Sequence, residues 1–124
     1  MGGEMVEDIR ERTFAFAVKV MTFVSNFPDR TSMYVVTRQV LRSGTSIGAN
    51  VEEAHAASSR ADFVYRIEIA LREARETSFW LRLIKASYLL KAERMDEIIA
   101  ESEELKKILG AIASKSRGKT KSKA

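Results

Sequence analysis

Glu52 and His55 stand three residues apart, the spacing by which a helix offers a carboxylate and an imidazole to one metal ion. Just before them, Ser43, Gly44, Thr45, Ser46 and Gly48 crowd small and hydroxyl-bearing residues into six positions, followed by Asn50. Three chemistries compete for this stretch. A phosphate loop needs glycines ahead of a Lys-Ser/Thr pair, between a strand and a helix. Here Gly44 and Gly48 fall inside a helical pattern and no such lysine follows. A di-metal bundle site needs two Glu-x-x-His pairs and two more inward carboxylates. The chain has a single histidine, so only a site shared between subunits could complete the set. A Ser-His-Asp centre needs an oriented base and an oxyanion hole, and no Gly-x-Ser-x-Gly elbow is present. The expectation is a protein without catalytic residues, metal or cofactor, with a metal-dependent enzyme as a minor alternative.

The same small residues have a packing use. Glycine inside a helix costs about 0.5–1 kcal/mol relative to alanine, so Gly44 and Gly48, one turn apart, call for a compensating close approach. A neighbouring helix backbone or a bulky side chain such as Phe79 or Trp80 would supply it, with Ser43, Ser46 and Asn50 bonding across the contact. Gly44, Ser46, Gly48 and Asn50 are therefore candidate helix-packing or oligomer-contact residues.

The elements that carry these residues follow from apolar periodicity. Val6, Ile9, Phe16, Val20, Phe23 and Phe27 line a first helix over about 4–26, ended by Pro28 and Asp29. Met33, Thr37, Val40, Gly44, Ile47, Val51 and Ala54 line a second over 32–57. Ser59, with Asp62 three positions on, marks the start of a third over 60–90. Its stripe is Phe63, Ile67, Ala70, Ala74, Thr77, Leu81, Ile84 and Tyr88. Met95, Ile98, Ser102, Leu105, Leu109 and Ile112 line a fourth over 93–113. Short connections make successive helices antiparallel, so the fold class is all-α, an up-down-up-down four-helix bundle. Residues 1–113 form that bundle and 114–124 a flexible basic tail.

Composition narrows the function classes. With 45% hydrophobic and 31% charged residues, the 124-residue chain is an ordinary globular one. The absence of cysteine removes thiol chemistry. The acidic start MGGEMVEDIRER is unlike a secretory signal, and the apolar run Phe14–Val24 is interrupted by Lys19 and too short to span a bilayer. A cytoplasmic location without membrane contact is expected. The net charge of +4 comes from Lys115, Arg117, Lys119, Lys121 and Lys123; without them the chain has 16 basic and 17 acidic residues.

The run RSGTSIGANVEEAHAASSRADFVYRIEIALREARETSFWLRLI, preceded by RQVL, resembles bacterial four-helix-bundle proteins of the 23S rRNA intervening-sequence type. Its most specific parts are Ser46-Ile47-x-Ala49-Asn50-x-x-Glu53-Ala54, Asp62-Phe63 and Glu76-x-x-x-Trp80-Leu81. The resemblance implies a bundle that assembles as a ring, commonly a homopentamer, with no established catalytic activity. A related group is the accessory protein of diversity-generating retroelements, whose pentamer binds nucleic acid and a reverse transcriptase.

Two kinds of surface bear on function. Ile69, Trp80 and Leu83 form a second apolar stripe on helix 3, a candidate subunit contact. Arg72, Arg75 and Arg82 flank Phe79, and Arg38 and Arg42 sit one turn apart on helix 2. Such guanidinium groups with an interleaved aromatic suit phosphates and bases. They equally suit salt bridges, since Glu68, Arg72 and Glu76 follow at steps of four. The sequence thus points to self-association and to non-specific RNA or DNA binding through these arginines and the tail cations. The alternative is a scaffold that docks a partner protein, such as a reverse transcriptase.

Overall fold

The computed structural model describes the backbone of residues 2–27, 31–87 and 91–123, and the side chains of 9–27, 33–87, 91, 93 and 95–118. Four helices follow one another: α1 Gly2–Ser25, α2 Thr31–His55, α3 Arg60–Ala86 and α4 Ala92–Lys123. Each packs on the next in sequence and α1 closes the ring on α4, with no packing across either diagonal among the described residues. Ion pairs fix the directions. Arg12 meets Glu101 and Lys19 meets Glu97, so α1 and α4 run antiparallel. Glu68 with Arg117 and Lys85 with Asp96 do the same for α3 and α4.

The periodic positions face inward. Every member of the α2 stripe is buried, Gly44 included, as are Met95, Ile98, Ser102, Leu105, Leu109 and Ile112 of α4. In α3 the buried set is Ile67, Ala70, Leu71, Ala74, Thr77, Ser78, Leu81 and Ile84. Full burial of each large aliphatic side chain contributes roughly 1.5–3 kcal/mol. Ile9, Phe16 and Val20 are buried in α1, while Phe23 and Phe27 are half-buried and meet edge-to-face at 4.9 Å. Val6 and Tyr88 lie outside the described side chains. Thr13 joins the core from α1, its hydroxyl donating to the Ile9 carbonyl at 2.8 Å.

Helix ends follow local chemistry. The Ser59 side chain accepts from the Asp62 backbone N–H at 3.1 Å, the N-cap expected there. α3 stops at Ala86, short of the anticipated 90, where the Ser87 N–H returns to the Leu83 carbonyl at 3.0 Å. α4 continues to Lys123 instead of ending near 113. The reason lies in its face: Ser116 continues the buried positions Leu109, Ile112 and Ala113, and Arg117 bonds Glu68 at 2.5 Å.

The two glycines of α2 lie against α1, not against Phe79 or Trp80. A Cβ at Gly44 would stand 2.8 Å from Val20 Cγ2, and one at Gly48 would stand 3.2 Å from the Thr13 carbonyl oxygen. Ser43 alone of the three polar residues bonds another helix, accepting from Thr77 Oγ1 at 2.9 Å across the α2–α3 contact. Ser46 donates to the Arg42 carbonyl and Asn50 to the Ser46 carbonyl, both within α2.

The contact gives opposite signs for two glycine substitutions. Gly44→Val is expected to cost about 1–3 kcal/mol through overpacking against Val20. Gly110→Ala, where an added Cβ meets nothing within 4 Å, is expected to gain about 0.5–1 kcal/mol. Urea unfolding followed by circular dichroism measures both.

Candidate nucleic-acid interface

The arginines picked out by the sequence fall into distinct electrostatic settings. α2 brings Arg42 to the α3 side of the bundle, where its guanidinium pairs with both Glu76 and Glu73, the latter at 3.3 Å. Gln39 accepts a third bond from Arg42 Nε at 3.1 Å. Bonding to Glu76 first, and attraction to both acids, holds the Arg42 pKa above its ordinary value. Burial pushes the Glu73 carboxyl up and the adjacent Glu76 adds to this, while Arg42 pulls it back. Arg42 is therefore a tie between α2 and α3, not a bare cation.

Arg117 is likewise tied to Glu68, from α4 to α3. Arg38 bonds the Tyr34 hydroxyl at 3.2 Å, one turn back on its own helix, and its guanidinium lies 5.5 Å from the Tyr34 ring centroid. Arg82 donates to Ser78 Oγ at 3.2 Å, and that hydroxyl donates to Glu103 at 2.6 Å. The Ser78 bond is the largest cause holding the Glu103 carboxyl below its ordinary value, followed by Lys106.

Arg72 and Arg75 differ from all of these. Both are exposed on α3, and neither has an acid within ion-pair distance among the described residues. The acids one turn from Arg72 are engaged elsewhere, Glu68 by Arg117 and Glu76 by Arg42. Phe79, 49% exposed, follows one turn beyond Arg75. It meets Trp80 edge-to-face, with ring centroids 5.0 Å apart. Arg72 to Arg82 covers about 15 Å of helix. Lys115 is exposed on α4, and Lys119, Lys121 and Lys123 lie outside the described side chains.

The second apolar stripe of α3 is only partly open. Leu83 is 39% exposed, Ile69 is half-buried, and Trp80 packs against the core with its indole N–H buried and unbonded among the described residues. Trp80 is thus half-buried against the core, and Leu83 is the more open member of the stripe. Sequence reasoning passed over the exposed residues Phe14, Val18 and Met21 of α1.

His55 and Glu52 are both exposed, and Glu52 bonds Arg10 Nη2 at 2.9 Å. Among the described residues no three side chains of His, Cys, Asp or Glu gather as metal ligands.

The sequence model of the family described as 23S rRNA-intervening sequence protein matches residues 7–111. The chain belongs to this family. Its fold is similar to the crystal structure of a protein from Bacteroides thetaiotaomicron VPI-5482, described as of unknown function and from the S23 ribosomal protein family. The two are 36% identical with a TM-score of 0.83, over 89% of this chain and 98% of the other. No curated protein matches the chain. Neither the family description nor the related structure names a catalytic activity. No helix among the described residues is long and apolar enough to cross a membrane.

Removing the Arg42 tie tests the electrostatic layout. Because the folded-state pKa of Glu73 lies above its unfolded value, its contribution favours folding at low pH and is lost as pH rises through the raised pKa. Arg42→Ala leaves Glu73 and Glu76 without their counter-charge and raises the Glu73 carboxyl further. Urea melts should show a stability deficit at about pH 7 that narrows as the pH falls and Glu73 takes up its proton.

Proposed function

We propose that this chain is a non-catalytic helical bundle that binds single-stranded RNA or DNA, without sequence preference, along the outer face of α3. The observation that carries the reading is the engagement of Glu68 and Glu76 by α4 and α2, which leaves Arg72 without either helical partner. With Arg75 it forms a guanidinium pair on one helix that no acid neutralises among the described residues, next to an exposed aromatic ring. Guanidinium forks match phosphate oxygens, and an exposed ring supplies a stacking platform that any base can use. Lys115 and the cations beyond it on α4 add sequence-independent attraction at the end of the bundle. The non-catalytic part of the reading is supported by the polar groups themselves. The buried hydroxyls of Thr13 and Ser102 donate to main-chain carbonyls of their own helices, and the one histidine is exposed at a helix end.

Fluorescence anisotropy with a labelled single-stranded oligonucleotide tests this directly. Loss of two phosphate contacts in the Arg72→Ala/Arg75→Ala variant should reduce the log–log salt slope by roughly 1.4 and weaken binding about tenfold or more near 0.1 M salt. Phe79→Ala should remove a stacking contribution of about 1–3 kcal/mol, and Arg42→Ala, which frees Glu76 to pair with Arg72, should also weaken binding. Replacing Lys115, Lys119, Lys121 and Lys123 by Gln reads the α4 end separately. A fall there with none in the α3 variant places the site off α3, and no binding by the intact protein at low salt contradicts the reading altogether.

A further inference from the structure

The outer crest of α3 has a regular make-up. Between Ala61 and Leu81 its exposed positions are Tyr65, Arg72, Arg75 and Phe79. The steps of seven, three and four keep all four on one stripe of the helix. Two guanidinium groups are thus bracketed by two aromatic rings. The acids of the same helix are all engaged, Asp62 with Arg66, Glu68 with Arg117, and Glu73 and Glu76 with Arg42.

The core does not account for Tyr65. It is 56% exposed, and its hydroxyl has no hydrogen-bond partner among the described residues. The Arg66 guanidinium stands 5.7 Å from its ring centroid and reaches Asp62 only at 3.9 Å. Ring and cation are therefore presented together, as Phe79 and Arg75 are one turn apart at the other end of the stripe. Tyr34 of α2 is matched in exposure at 57%, but Arg38 already bonds its hydroxyl. It also starts α2 where Tyr65 starts α3, so the two rings lie at opposite ends of the bundle.

We infer that Tyr65 is a second base-stacking platform, and that a single strand lies along the axis of α3 with bases on Tyr65 and Phe79 and intervening phosphates on Arg72 and Arg75. The inference rests on the reading of α3 as the binding face, and adds to it a ligand residue, a direction for the strand and a shortest full-length ligand. Tyr65 and Phe79 are fourteen residues apart, or about 21 Å of helix rise, with Arg72 midway. A strand with duplex-like rise advances about 3.4 Å per nucleotide, so about six nucleotides reach from ring to ring. Once one base is stacked, the second ring is met intramolecularly, which raises affinity without any stronger single contact. Stacking uses the ring face that every base offers, so the arrangement suits binding without sequence preference.

Titration of the intact chain with labelled oligothymidylates, from the dinucleotide to the octanucleotide, tests the inference, with circular dichroism reporting helix content. Tyr65→Ala should weaken octanucleotide binding at least about fivefold, the lower end of what one stacked base contributes. A dinucleotide reaches one ring at a time, so losing one of two platforms should change its affinity by about twofold at most. Tyr65→Phe, which keeps the ring, and Tyr34→Ala, at equal exposure on α2, should both bind like the parent. Octanucleotide affinity unchanged by Tyr65→Ala, while the Arg72→Ala/Arg75→Ala variant binds weakly, overturns the inference and leaves the α3 reading intact. Equal losses for the dinucleotide and the octanucleotide, or an equal loss in Tyr34→Ala, also overturn it. No loss in any α3 variant overturns both.

Discussion

A carboxylate on α3 can hold a guanidinium on its own helix or one on a neighbouring helix, and the layout of the molecule turns on that choice. Glu76 holds Arg42 of α2 and Glu68 holds Arg117 of α4. The pairs pin α3 on both sides in one register, together with the Ser43–Thr77 and Ser78–Glu103 hydrogen bonds. The same choice strips Arg72 of the two partners that helical spacing would otherwise give it. Exposed ion pairs contribute little to stability, about 0–1 kcal/mol each. Their larger effect here is on which cations remain open to a ligand.

α1 is held differently. Its contact with α2 rests on the absence of side chains at Gly44 and Gly48, and its contact with α4 is bridged at the surface by Arg12–Glu101 and Lys19–Glu97. The outward surfaces of α1 and α3 consequently have opposite character. One is apolar and uncharged, the other cationic with an aromatic ring set into it. α1 and α3 lie diagonally across the bundle, so the two surfaces face opposite ways.

Much of this was legible in the sequence, and the limits have a physical basis. The α2 stripe from Met33 to Ala54 is buried at every step because a period of 3.6 residues alone fixes which side faces inward. Periodicity likewise placed Phe16 and Val20 on the inward stripe of α1, but because Phe14–Val24 is apolar nearly all round it gave no sign that Phe14, Val18 and Met21 would be left facing water. Thr13 was passed over because a hydroxyl looks polar until its bond to a carbonyl one turn back is seen. The polar composition after residue 113 concealed the helical continuation, although Ser116 is in step with Leu109 and Ala113. Pairing choices such as Glu76 with Arg42 depend on the register between helices, which no single-helix pattern contains.

The central claim is that the pairing of Glu68 and Glu76 with other helices leaves Arg72 open on the face of α3, beside Arg75, which has no acid one turn away. Titrating the 15N-labelled protein with a single-stranded oligonucleotide, while observing the arginine Nε–Hε resonances, tests it most directly. The account predicts that the signals of Arg72 and Arg75 shift progressively with added ligand while those of Arg42 and Arg117 stay in place. Shifts at Arg42 and Arg117 with Arg72 and Arg75 unmoved would contradict it.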